Sequence, residues 1–319
     1  MNTSRLHVVL GAGQIGTLLA RSLLARGERV RQVRRGKVSA STERHEWLSG
    51  DLSDPAFARR AMADAHAVYH CVNAAYHEWP KLLPALQGGI LAGARANGSK
   101  LVVLDNLYMY GKAAGPMRED TPVRPCSKKG ELRARLADEL LAAHGRDDVR
   151  LAIGRASDFF GPEVTLAAVF GERFYTRVLG GKRGEGLGNP DMPHAYSYGP
   201  DVAEGLRVLG AAEDDAFGRV WHLPAAHQGT TRELAYALSA ALGGKSELGD
   251  VPPWLFRALG LFVPQMREVP EMLYQWQSPF WLDDSAFRKR FSTLPTPIER
   301  AVKDTAVWAR ERFGVARAA

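Results

Sequence analysis

Gly11, Gly13 and Gly16 constrain this chain more than any other residues. They lie in LHVVLGAGQIGTLLARSLLARG, where an apolar run, Leu6 to Leu10, meets an amphipathic pattern from about Ile15 to Arg26. A G-x-G-x-x-G spacing between a strand and a helix is the context of a dinucleotide-binding turn. Gly11 then permits the tight turn, Gly13 lets backbone approach a pyrophosphate, and Gly16 lets helix pack on strand. Gln14 and Ile15 open the helix, whose free N–H groups face the phosphates. The alternative is a strand–turn–helix with structural glycines only.

The 319 residues make one large or two modest domains. No apolar run approaches the roughly 20 residues that span a bilayer, so no membrane partner is expected. Met1 to Arg5 leads straight into the first strand, which reads as no signal peptide. Cys71 and Cys126, the only cysteines, make no disulfide framework, and a reducing cytoplasm is the expected compartment. The net charge of +7 suggests an anionic partner. The basic residues are dispersed and match no nucleic-acid motif, so a phosphate-binding pocket on a solvated surface is expected and no nucleic acid.

Strand and helix signals alternate through the first half. Strands are expected at Glu28–Val33, His45–Leu48, Ala67–Val72, Leu101–Asp105 and Val149–Ile153. Helices are expected from Asp54-Pro55, over Leu82–Ala96 to a cap at Asn97-Gly98, and over Glu131–His144. Such alternation specifies an α/β fold of Rossmann type, a doubly wound parallel sheet. Beyond Gly161-Pro162 the rhythm changes. GGKRGEGLGNPDMP (Gly180 to Pro193) reads as long loops, with later helices near Asp201–Leu209, Thr231–Leu242 and Pro297–Phe313 and a strand at Val220–Leu223. The expected organisation is a dinucleotide-binding domain over 1–162 and a smaller C-terminal substrate lobe over 163–319, with some segments returning to the first domain.

The second strand ends in Arg34 and Arg35, where dinucleotide folds often carry an acid for the ribose hydroxyls. A guanidinium suits a 2′-phosphate, so NADP is preferred over NAD. The plainer reading is a solvated arginine pair. Asp51-Leu52 would face adenine, or Asp51 caps a turn. Asn73-Ala74-Ala75 places small residues where backbone passes a cofactor, or simply turns. There is no zinc spacing, no H-E-x-x-H and no G-x-S-x-G.

These segments together resemble an extended short-chain dehydrogenase/reductase of the nucleoside-sugar epimerase/dehydratase group. GAGQIG resembles its glycine motif and GDLSD its adenine-side motif. VVLDNLYMYG, IGRASDFFGP (which carries Arg155, expected on the cofactor side) and YSYGPDVAEGL resemble its later segments. The resemblance covers nearly the whole chain and implies hydride transfer with nicotinamide, a tyrosine acid/base, a lysine on the nicotinamide ribose and a serine orienting the substrate oxygen. It also implies a homodimer through two long helices.

This chain departs from that pattern. The serine position falls on Asn106, and the Tyr-x-x-x-Lys segment falls on RPCSKKGELRA. With Lys129 as the lysine, the tyrosine position is Pro125; with Lys128, it is Arg124. Three functions are therefore expected: an oxidoreductase on a carbonyl/alcohol centre of a small molecule, a non-catalytic NADP sensor with a protein partner, or a nucleotide-sugar enzyme with relocated groups. In the first, Lys129 holds the ribose, Asn106 orients the substrate oxygen, and Tyr108 or a water supplies the proton. Tyr76, His77 and Trp79 would line the substrate side, and Cys126 is a weak-acid candidate. Aromatics from Phe170 to Trp281, Trp254, Phe256 and Phe262 among them, suggest a ring-containing substrate as readily as a sugar nucleotide. Arg173, Arg177, Lys182 and Arg183 would meet an anion.

Overall fold

The computed structural model describes residues 4–146, 149–167, 169–245, 247–251 and 267–314. Trp254, Phe256 and Phe262 lie outside these residues. β1 (Leu6–Leu10) is fully buried, as an apolar strand covered on both faces must be. It leads through the glycine turn to α1 (Gln14–Ala25) and β2 (Arg29–Arg34). β3 (His45–Ser49), α2 (Pro55–Ala61), β4 (Ala67–His70), α3 (Trp79–Asn97) and β5 (Lys100–Asp105) follow. α4 (Lys128–Gly145), β6 (Leu151–Arg155) and β7 (Asp158–Phe160) complete the first half.

Local chemistry sets these boundaries. Asp54 caps α2 by accepting from Ala56 N, with Pro55 next, and Gly98 ends α3 in the left-handed region at φ 59°. Ser127 accepts from Gly130 N and starts α4 at Lys128, three residues before the expected Glu131. Lys129 therefore sits on the first helical turn rather than in a loop.

The second half contributes α5 (Glu172–Leu179), β8 (Gly184–Leu187), β9 (Tyr196–Tyr198), α6 (Gly199–Ala211) and β10 (Arg219–His222). α7 (Thr231–Ala241), β11 (Leu248–Val251), α8 (Ser285–Phe291) and α9 (Ile298–Phe313) follow. The Gly180–Pro193 stretch is not all loop, because β8 lies inside it and pairs with β11.

Seven parallel strands form the main sheet in the order β10-β6-β5-β4-β1-β2-β3. Strand order reverses between β1 and β4, which opens a crevice at their carboxyl ends, the ligand-binding position of open α/β sheets. One core lies under α3 and α4, with Leu83, Ile90, Leu132 and Leu136. The other lies under α1 and α6, with Leu19, Leu23, Val202 and Leu206. β10, from beyond residue 163, extends the sheet by pairing with β6.

A third core holds Phe170, Phe174, Tyr175, Tyr196, Tyr198 and Trp276. These aromatics pack on one another, so they do not mark a ring-binding surface. Arg173 and Arg177 both pair with Glu185. Neither arginine is held open for a ligand. Among the described residues no helix is long and apolar enough to cross a membrane.

Candidate functional site

The glycine turn shows what each glycine does. Gly11 has φ +109°, and a Cβ there would lie 3.0 Å from the Cys71 backbone. A Cβ on Gly16 would lie 2.2 Å from Gly11 O, so this glycine lets α1 approach β1. Gly13 differs, for a Cβ there meets nothing within 4 Å. It is the exposed N-cap of α1 and gives the helix no side-chain cap. The first N–H groups of α1 thus have no side-chain cap and the space beside Gly13 is open, a cradle that fits an anionic pyrophosphate. Gln32 steadies the turn by donating to Gly11 O at 3.2 Å.

Gln14 is tied to Leu166, accepting from its N–H at 2.5 Å and donating to its carbonyl. Ile15 is core. Gly13→Ala is expected to leave thermal stability unchanged while lowering dinucleotide affinity by about tenfold, because only a ligand needs that space. Equal affinity in a fluorescence titration would contradict this.

Arg34 and Arg35 extend from the carboxyl end of β2 and are exposed. Arg34 Nε donates only to the neighbouring Arg35 carbonyl, at 3.4 Å. Asp51 accepts from Ser53 N at 2.9 Å, and this backbone hydrogen bond holds its carboxyl below the usual range. Asp51 thus caps a turn, the second of the two roles expected for it. Leu52 is buried against α3 and belongs to the core.

The carboxyl ends of β4 and β5 bring four expected residues together. Lys129, 4% exposed, holds its ammonium 5.0 Å above the Tyr76 ring. The Tyr76 and Tyr108 hydroxyls are 2.8 Å apart. Burial pushes the Tyr76 phenol up to about 12 and, with Tyr76 beside it, carries Tyr108 well above the ordinary value. That shift makes Tyr108 a poorer acid than a free tyrosine for the proton-supplying role expected of it. Asn106 Oδ1 accepts from Tyr108 N at 3.0 Å, so Nδ2 is the part of this amide that donates.

Asn73 accepts from Arg133 at 3.2 Å, Ala74 accepts from the Trp79 indole at 2.9 Å, and Ala75 begins a 3-10 turn over Tyr76–Glu78. Trp79 is buried core and His77 is exposed. Burial raises the Cys126 thiol, which does not favour thiolate chemistry.

Arg155 is not presented to the crevice as a free cation. It is 3% exposed, with Nε 3.3 Å from Asp105 and Nη1 donating to Tyr110 at 2.7 Å. Tyr110 in turn meets His222 Nε2 at 2.9 Å. Asp105 also pairs with Arg133 at 3.4 Å, so one carboxylate joins two guanidinium groups under the crevice.

Four residues here carried no sequence assignment. Glu268 and Glu271 grip the Lys129 ammonium, Glu268 at 2.5 Å. Glu271 also accepts from Lys128 N at 3.1 Å, on the first turn of α4. Asp158 and His194 form a pair at 2.7 Å, with His194 fully buried against Trp276. The Asp158 charge raises the phenols of Tyr76, Tyr108 and Tyr274, after larger contributions from burial. The pair therefore faces the same site. Asp158 stood inside IGRASDFFGP, but nothing in sequence joined it to His194, 36 residues away.

The sequence matches the NAD dependent epimerase/dehydratase family over residues 7–221. No curated protein matches it significantly. Many solved structures are similar in fold. The Bordetella bronchiseptica enzyme WbmH, solved with NAD+, is 18% identical, with 98% of this chain and 100% of that one covered and a TM-score of 0.74. The UDP-N-acetylglucosamine 4-epimerase of Methanobrevibacter ruminantium, solved with UDP-N-acetylmuramic acid, is 17% identical over 97% and 99%, with a TM-score of 0.78. The dTDP-glucose 4,6-dehydratase of Bacillus anthracis, solved with NAD, is 14% identical over 97% of each chain, with a TM-score of 0.76. The seven-stranded parallel sheet, the glycine turn at its switch point and the family match over two thirds of the sequence agree: the chain belongs to the NAD dependent epimerase/dehydratase family.

Proposed function

We propose that the chain is an NADP-preferring oxidoreductase acting on a carbonyl/alcohol centre of a small organic molecule. One observation carries this reading. A buried lysine lies over one ring of a hydrogen-bonded phenol pair at the carboxyl ends of β4 and β5, the edge of the sheet at which the uncapped α1 also begins. A bound nicotinamide dinucleotide supplies or accepts the hydride.

The chain's own residues then have separate tasks. The α1 N–H groups hold the pyrophosphate, and Arg34 with Arg35 meets a 2′-phosphate. Lys129 has three N–H donors, two directed at Glu268 and Glu271, and the third serves the nicotinamide ribose. Asn106 Nδ2 and the Tyr108–Tyr76 pair orient the substrate oxygen. Residues 163–319 supply the far wall of the substrate side.

Fluorescence titration with NADPH and NADH tests the cofactor assignment. Arg34→Glu is expected to weaken NADPH binding by about tenfold and to change NADH binding little, since only the former carries the extra phosphate. Unchanged NADPH affinity overturns the role of Arg34.

A second reading is a nucleotide-sugar epimerase or dehydratase with relocated acid/base groups. Family membership and the activities named for the neighbouring structures favour it. It predicts NAD retained through purification and binding of a sugar nucleotide, neither of which the first reading requires.

A further inference from the structure

We propose that the Asp158–His194 pair stores one proton beyond that of a neutral imidazole and delivers it to the substrate oxygen, so that the site runs as a carbonyl reductase. The inference rests on the oxidoreductase reading above and gives it a direction.

The hydrogens on the pair can be counted from its contacts. His194 Nδ1 lies 3.0 Å from the Gln275 carbonyl oxygen, and Nε2 lies 2.7 Å from Asp158 Oδ2. A carbonyl oxygen only accepts, so Nδ1 must carry hydrogen. The short Nε2–Oδ2 contact needs a second hydrogen, on the imidazole or on the carboxyl. In either form the pair holds two protons, one more than a neutral imidazole beside a carboxylate.

His222 shows the contrast. Its Nδ1 faces the Asp283 carbonyl at 3.2 Å, but its Nε2 faces the Tyr110 hydroxyl, to which Arg155 donates. That hydroxyl supplies its own hydrogen, so His222 is satisfied as a neutral ring. A histidine arranged as a general base likewise keeps one nitrogen free. His194 has none free, so the pair is built to give a proton rather than take one.

Its surroundings suit that task. His194 is fully buried and stacks 5.1 Å from Trp276, while the Asp158 side chain is 19% exposed and is the member whose charge acts on the Tyr76 and Tyr108 phenols. The titratable groups around His194 are Asp158, Tyr196 and His227; those around Asp158 are His194, Tyr76, Tyr108, Tyr196 and Tyr274. Burial raises the Tyr76, Tyr108, Tyr196 and Tyr274 phenols and lowers His227, so these phenols are poorer acids than a free tyrosine. In the reductive step, with a reduced nicotinamide as hydride source, the carbonyl carbon gains the hydride and the π pair moves to oxygen. That oxygen takes the proton through Asp158. An aspartate carboxylate and a neutral imidazole, still bonded to Gln275, remain for solvent to recharge.

The test uses the full chain. In 15N-histidine spectra at pH 7.5, His194 should show the proton count of a charged or proton-sharing ring, and Asp158→Asn should convert it to a ring with one unprotonated nitrogen. With NADPH and a panel of aldehydes and ketones, Asp158→Asn should lower kcat by about 100-fold or more, flatten the pH profile and leave NADPH affinity unchanged. His194→Gln serves as the second variant should the first fail to fold. An unprotonated nitrogen in wild-type His194 beside an ionised Asp158 carboxylate, the latter read from its 13C carboxyl shift, overturns the proposal. So does an Asp158→Asn protein with lowered Tm but unchanged kcat and pH profile. A wild type that binds NADPH yet reduces no carbonyl overturns the oxidoreductase reading itself, a failure visible before any variant is made.

Discussion

Asp105→Ala is expected to cost about 3–5 kcal/mol of stability, the range for removing one partner from a buried ion pair. Asp105 lies 3.3 Å from Arg155 and 3.4 Å from Arg133, and the side chains of all three are largely shielded from water. Truncation leaves two guanidinium groups facing each other without the carboxylate between them. The loss of packing is small by comparison, so a charge effect dominates. Removing Arg150, which pairs with Asp214 on the surface, should cost under about 1 kcal/mol. Urea unfolding of both variants measures the contrast; equal and small losses would show that Asp105 does not hold the network.

Acid should unfold the protein earlier than its carboxylates alone would require. Burial lowers His7, His70 and His222 each to about 4, from 6.5. The sign follows from which state binds the proton first. As pH falls below 6.5 the unfolded chain takes up protons that these buried rings refuse, so stability that is full above 6.5 declines and is lost by about pH 4. Each ring contributes a slope of about 1.4 kcal/mol per pH unit, and three together on the order of 4 kcal/mol per unit. Over the window from 6.5 to about 4 the three rings together remove roughly 10 kcal/mol, enough to exhaust a stability at the lower end of the typical range of about 5–15 kcal/mol before the carboxylates titrate. Urea midpoints at pH 7.5, 6 and 5 check this. Midpoints that stay level from 7.5 to 5 would show that the rings are solvated.

What was legible in the sequence follows from locality. β1, the glycine turn and α1 are adjacent in the chain, so their periodicity and spacing specify one another. Asp54-Pro55 and Asn97-Gly98 mark helix ends by residues that lie at those ends. β8 was not legible because its glycines look like loop. They are there for packing: a Cβ on Gly184 would fall 2.5 Å from the Phe174 ring, and one on Gly186 would fall 2.8 Å from Leu248. The sequence motif singles out Lys129, but not its setting. Glu268 and Glu271 lie 139 and 142 residues beyond Lys129, and no local pattern connects them. Tyr108 was placed rightly at the end of β5, yet its contact with Tyr76 and its burial, which decide its chemistry, are tertiary facts.

The order of the sheet also bears on how the chain is made. Every strand pair in it is parallel, so each strand must wait for a crossover before it finds its neighbour. The last addition, β10 on β6, joins residues 67 positions apart in the chain, as Arg219 with Ala152 (219 − 152 = 67). On the ribosome, β6 presents a bare hydrogen-bonding edge until residue 222 has emerged, an interval of several seconds at about 5–20 residues per second. Lys129 waits longer still for its carboxylates. The nascent chain therefore passes through a stage with an open sheet edge, a template for pairing with other chains that closes only when β10 arrives.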